Sequence, residues 1–194
     1  MIPKKSPARC RLLETASRLF QKRGYSEVGI DEIIEESQTA KATFYRHFPS
    51  KDKLVEAWLC AIHDNSEERQ EKIINAEGCP VQKIANAFDG LSDYMIAHDF
   101  RGCPYSNSCA VTESGNELIR QQIERHKEST RQFFHRISQC ILEVRNEANL
   151  LGDRIFILYS GATTEAQNLR DLWPIETAKG AALDLCEMAK SPAA

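Results

Sequence analysis

No apolar run in this 194-residue chain approaches the roughly 20 residues a helix needs to cross a bilayer. No secretory leader is expected either, because Lys4, Lys5 and an amphipathic stretch at 7–23 are not followed by an apolar segment. The expected location is therefore the cytoplasm. The seven cysteines (Cys10, Cys60, Cys79, Cys103, Cys109, Cys140 and Cys186) contain no C-x-x-C pair, which removes the usual zinc-site spacing. Their odd number predicts free thiols, most of them buried as small apolar residues. Nucleotide and hydrolase signatures of the G-x-G-x-x-G, Walker, G-x-S-x-G and H-E-x-x-H types are missing as well. No metal or cofactor is expected. Strand-like alternation is also absent. With 42% hydrophobic residues the chain can nonetheless bury a core, in one or two domains.

What is present is helical periodicity and an uneven charge. The net charge of −3 hides a split: residues 1–60 carry 11 Lys and Arg against 8 Asp and Glu (+3), and the rest 14 against 20 (−6). A basic head on an acidic body suits a nucleic-acid reader, with modest charge supplemented by dimer avidity. Ser6-Pro7 predicts a helix start, and Leu12, Leu13, Ala16, Leu19 and Phe20 form one apolar stripe up to a stop at Gly24. A second helix is expected at 30–37. Its acids Asp31, Glu32, Glu35 and Glu36 suit the positive helix end and would repel phosphates. After a turn at Gln38-Thr39, a third helix at about 40–48 anchors itself by Phe44 and Phe48. It carries Lys41, Thr43, Tyr45, Arg46 and His47 on its other faces. Two helices joined by a three- or four-residue turn make a helix-turn-helix, and the second is chemically suited to a major groove. A histidine between two aromatics is often a packing residue, so His47 has two readings.

The stretch Leu13–Leu54 resembles the N-terminal DNA-binding domain of TetR-type bacterial repressors. The residues that carry the resemblance are Arg23-Gly24-Tyr25, Asp31-Glu32-Ile33, Lys41, Thr43, Tyr45-Arg46-His47-Phe48 and Ser50-Lys51. It implies base or phosphate contacts by Thr43, Tyr45 and His47, and a phosphate contact by Lys51. Three positions depart from the pattern: Gln38 stands where Gly is usual in the turn, Ala40 replaces the capping Ser, and Ala42 follows the Lys. A left-handed Gln38 costs more than Gly, and Thr39 is the neighbouring candidate for the lost cap.

The expected architecture is all-α with about nine helices. A helix-turn-helix DNA-binding domain occupies 1–50, and a helical ligand-binding and dimerisation domain occupies 51–194. Within the latter, helices are expected at about 51–76, 81–98, 104–112, 116–147, 151–171 and 175–190. The G-C-P-aromatic-x-N string at 102–107 is similar to a segment at the entry to the family's ligand-binding body, with Val111 where an acid is often seen. In the family the last two helices pair with their copies as a four-helix bundle. That implies a homodimer interface through Phe156, Tyr159, Ala162, Ala178, Ala182 and Leu185; packing within one chain is the alternative for the small residues. Candidate ligand-lining residues are Trp58, Phe88, Tyr94, Met95, Tyr105, Cys109, Phe133 and Phe134.

The function expected from these features is a ligand-responsive transcriptional regulator, acting as a repressor. It would bind a palindromic double-stranded operator as a homodimer and respond to a small-molecule effector in the body, with no membrane partner. An effector that favours a body conformation with the 51–76 helix swung would alter the spacing of the two heads. The alternative is a small thiol-dependent enzyme or a redox or electrophile sensor using Cys103 or Cys109.

Overall fold

The computed structural model describes residues 6–112 and 116–190, so Lys4 and Lys5 lie outside the described residues. Among these residues there are nine helices and no strand: α1 (Pro7–Arg23), α2 (Ile30–Glu36), α3 (Lys41–His47), α4 (Lys51–Asn75), α5 (Pro80–Ala97), α6 (Pro104–Val111), α7 (Glu117–Ser138), α8 (Arg145–Leu169) and α9 (Trp173–Lys190). None is long and apolar enough to cross a membrane.

Local chemistry accounts for most of the boundaries. Ser6 Oγ accepts the Arg9 amide at 3.3 Å and Pro7 occupies the first turn, where no amide is needed. At the other end of α1, Gly24 takes φ 87° and returns its amide to the Phe20 carbonyl at 2.8 Å. Ser50 Oγ receives the Lys53 amide at 3.2 Å and so starts α4. The carboxylate of Asp171 does the same for α9, accepting from the amides of Leu172 at 2.6 Å and Trp173 at 3.3 Å.

The expected single helix over 116–147 stops instead at Ser138, and α8 begins at Arg145, six residues before the predicted start. Ile141 and Leu142 keep the helical spacing that suggested continuation. They pack on the core from a turn in which the Leu142 amide reaches the Ser138 carbonyl at 3.0 Å. Gly152 lies inside α8. A Cβ there would stand 2.7 Å from the His135 ring and 2.9 Å from the His135 backbone nitrogen, so the glycine permits close approach of two helices.

The chain divides into two compact units, one of residues up to 64 together with 104–124, the other of 65–103 with 125 onward. In the first, Leu12, Ala16, Leu19, Phe20, Val28, Ile33, Phe44, Phe48, Leu54, Val55, Trp58 and Leu59 are buried with Tyr105, Ile119 and Ile123. The Tyr105 phenol donates to the Leu59 carbonyl at 2.7 Å, which fastens α6 to α4 inside this unit. The second unit is built on α5, α8 and α9 with the later part of α7. Phe88, Met95, Phe133, Phe134, Ile155, Ala166 and Ala182 form its core.

A half-buried polar cluster lies within the second unit, with only His135 fully covered. Asp153 accepts from Arg131 at 2.6 and 3.1 Å and from His135 at 2.7 Å. The Arg131 guanidinium, ahead of His135, holds the Asp153 carboxyl below its usual range.

All seven cysteines are outside disulfides, but only Cys186 is buried. The expectation that most would be core residues is overturned. Cys79 and Cys140 sit in turns, and Cys109 on the outer face of α6, where the chain reverses or faces water. Burial pushes the Cys186 thiol up to about 11.

Candidate nucleic-acid interface

Helix α3 has only seven residues, too few to be stable alone, so its pose depends on packing. Phe44 is fully buried and Phe48 nearly so, their rings 6.2 Å apart, and they turn the opposite face outward. That face exposes Lys41, Ala42, Tyr45 and Arg46, with Thr43 and His47 half-buried. The Tyr45 ring meets Phe44 edge-on at 5.2 Å while 44% of the residue remains exposed, so a rigid aromatic projects from a fixed base.

The turn before α3 carries the departures seen in the sequence. Gln38 takes the left-handed conformation at φ 50°, as its position requires. Ala40 is the N-cap and provides no side-chain bond, and Thr39 does not replace it. Ser37, itself buried, spends its single hydroxyl proton on the Ile34 carbonyl at 3.2 Å. Thr39 must therefore donate to Ser37 Oγ, 2.9 Å away, which rigidifies the turn.

Charge in this region is arranged in pairs that sequence spacing does not reveal. The acids of α2 hold three cations: Asp31 with Lys41 at 3.0 Å, Glu32 with Arg23 and Glu36 with Arg18. Hydrogen bonding and charge from Asp31 raise the Lys41 pKa above its ordinary value. Arg46 makes no ion pair among the described residues, leaving it open to a phosphate. His47 Nε2 lies 3.1 Å from Ser6 Oγ, and Arg9 stands 5.0 Å over the Phe48 ring, so α1 and α3 are stapled at their ends. His47 thus has a packing partner on one ring nitrogen. Lys51, the first residue of α4, donates to the Ser26 carbonyl at 3.4 Å and lies 5.8 Å from the Tyr25 ring centre.

A phosphate approaching Lys41 would have to compete with Asp31, so Asp31→Asn is expected to tighten duplex binding about two- to five-fold at low salt. The gain should shrink as salt rises. Titration of a labelled duplex at several salt concentrations checks this; weaker or unchanged binding would contradict it.

The other predicted site residues are placed as follows. Trp58 and Tyr105 are buried in the first unit, and Cys109 is exposed on α6. Phe88, Met95, Phe133 and Phe134 lie in the core of the second unit. Tyr94 packs against that core, stacked on His98 at 4.2 Å, and burial raises its phenol pKa. Tyr159 meets Phe88 at 5.4 Å and Phe134 at 5.3 Å, with its phenol pushed up to about 12 by burial. Ala162, Ala178 and Ala182 are buried within the chain, while Phe156 and Leu185 are half-buried against the same core. The outward face of α8 and α9 instead presents Ile157 at 66% and Met188 at 72% exposure. These line an apolar groove with Leu158, Ala181 and Leu185. Among the described residues no group of three or more His, Cys, Asp or Glu side chains could hold a metal ion.

Residues 12–58 match the family model for bacterial regulatory proteins of the tetR family. The HTH-type transcriptional regulator LmrA of Bacillus subtilis is 32% identical over 119 residues, covering 59% of this chain and 62% of LmrA, less than two thirds of its length. The HTH-type transcriptional repressor DhaR of a Mycobacterium species is 23% identical over 181 residues, 89% of this chain and 88% of DhaR. The crystal structure of SCO4454, a TetR-family regulator from Streptomyces coelicolor, shares the fold with a TM-score of 0.84 at 24% identity. That match covers 95% of this chain and 96% of the other. These relatives are transcriptional regulators rather than enzymes. Residues 12–58 are thus a DNA-binding domain of the tetR family, and the chain as a whole shares the fold of TetR-family transcriptional regulators.

Proposed function

We propose that this regulator is a repressor that binds a palindromic operator as a homodimer and changes its affinity when a small molecule enters the helical body. The observation that carries it is the outward face of α3: Lys41, Tyr45 and Arg46 are exposed on a helix fixed from behind by Phe44 and Phe48. Thr43, His47 and the α4 residue Lys51 complete the DNA-contacting set. The name of DhaR supports repression. A division of labour between a DNA-reading 1–50 and a sensing, dimerising 51–194 goes with this function.

Dimerisation is assigned to the outer face of α8 and α9. Exposed Ile157 and Met188 flank Gly161 and Gly180, where an added Cβ would meet nothing within 4 Å, so a partner helix can approach closely. Of the residues expected from sequence, Leu185 lies on this face. Phe156, Tyr159, Ala162, Ala178 and Ala182 support it from beneath. Two recognition helices about one DNA turn apart would then read a two-fold symmetric site. The effector is assigned to the apolar interior of the second unit, among Phe88, Tyr94, Met95, Phe133 and Phe134, with Trp58, Tyr105 and Cys109 in the other unit as the remaining candidates. A thiol-reactive effector is the second reading, favoured by the Lys127 ammonium 3.8 Å from Cys103 Sγ.

Selection from a pool of random duplexes, beside the Tyr45→Ala/Lys51→Ala double variant, tests the function. The wild-type protein should enrich a two-fold symmetric motif and the variant should enrich nothing. Equal enrichment by both would discard the α3 face. Repeating the selection after iodoacetamide labelling, beside a Cys103→Ser variant, separates the two effector readings, since under the second the label should change retention by the unaltered protein and not by the variant.

A further inference from the structure

We infer that Tyr25 and Thr112 are positioning residues for Lys51, holding its ammonium where a DNA phosphate is met; this rests on the phosphate-contacting role given to Lys51 above. Lys51 is the first residue of α4, where the helix dipole is positive and a cation is disfavoured. The same place is favourable once a phosphate arrives, since helix amides and the ammonium then face one anion. Before that, something else must hold the cation in position. Two neighbouring residues do so: the Tyr25 ring, whose centre lies 5.8 Å from Nζ, and the Ser26 carbonyl at 3.4 Å. Partial burial between them draws the amine pKa below its ordinary value, against the opposing charge of Asp52.

The ring can serve this role only if it is itself fixed, because residues 24–29 form a connector between α1 and α2. Its inner edge is fixed by Phe20 at 6.4 Å, which in turn meets Trp58 edge-on at 5.2 Å. Its outer end is fixed by Thr112, just past α6 and 87 residues away in sequence, with the two hydroxyl oxygens 3.1 Å apart. The direction of that bond follows from proton counting. Thr112 has one hydroxyl proton and gives it to the Ser108 carbonyl at 2.6 Å, so Tyr25 must be the donor. The phenol is thereby aimed at a partner that the last turn of α6 has already oriented. A chain of contacts runs from Ser108 through Thr112 and the Tyr25 ring to the Lys51 ammonium.

A tie that merely stabilised the fold would change melting behaviour without touching Lys51. The test uses the full chain with Thr112→Val, Tyr25→Phe and the hydroxyl-retaining Thr112→Ser. Lys51 acetylation by dilute acetic anhydride is followed by peptide mass spectrometry, with exposed Lys72 as the internal reference. Thr112→Val and Tyr25→Phe should acetylate Lys51 about 3- to 10-fold faster than the unaltered protein, and Thr112→Ser should not. A short random-sequence duplex at low salt supplies the second readout. Lys51→Ala should reduce the salt slope by about 0.9, and Thr112→Val should weaken binding by about 3- to 10-fold alone but add little to Lys51→Ala. Unchanged Lys51 reactivity, or losses that add in full, would overturn the positioning role while leaving the DNA-binding role standing. Failure of the unaltered protein to bind the duplex at all would overturn both.

Discussion

Replacing Phe44 by Ala is expected to cost about 3–5 kcal/mol and to abolish DNA binding. Phe44 is fully buried, and it is the only residue of α3 below the surface, so its loss leaves a seven-residue helix with no anchor of its own. Phe48 follows α3 and packs on the same ring, and a smaller residue at 44 removes its support too. Two compact units mean that unfolding need not be a single transition. The first unit should open at lower urea while most of the helical signal survives in the second. Far-UV circular dichroism and the fluorescence of Trp58, read in a Trp173→Phe background and followed together in a urea series, should therefore separate in the variant. A melt within about 1 kcal/mol of the unaltered protein, with duplex binding preserved, would show that α3 is held by something other than this ring.

The second large effect concerns the outer face of α8 and α9. Ile157→Asp with Met188→Asp places two carboxylates on a surface whose present exposure is 66% and 72%, so the single chain should fold unperturbed. In a dimer those positions would be desolvated, and the new charges would face their own copies. Light scattering should report a monomer. Binding to a selected operator should fall by at least about 100-fold, because the second recognition helix is no longer tethered to the first. A variant that stays dimeric would move the interface elsewhere. A monomer that binds as tightly as before would remove avidity from the mechanism.

Much of this protein was legible as sequence because the signals concerned were local. Ser6-Pro7 and Gly24 bound α1, the Phe44–Phe48 spacing set the buried side of α3, and a pattern of residues within one short stretch identified the helix-turn-helix. The body was harder for a specific reason. Ile141, Leu142 and Val144 continue an apolar rhythm that a turn can satisfy as well as a helix, so periodicity alone carries α7 past its end at Ser138. Gly152 is the place where α8 passes His135 closely, a contact that helical period does not announce. Small residues in α8 and α9 suggested contact with another chain, yet Ala162, Ala178 and Ala182 are used up inside this one.

The amino-acid sequence by itself determined where the helices of the head start and stop, which side of each is apolar, and the family of the DNA-reading segment. These follow from hydrogen bonding and periodicity within a few residues. Tertiary structure alone decided that Asp31 shields Lys41, that Ser6 occupies a nitrogen of His47, and that Thr112 holds Tyr25 beneath Lys51. It also decided which face of α8 and α9 looks outward. Helical period gives the direction in which a side chain points around its own axis, but the partner waiting there belongs to another element, and only packing brings it within reach.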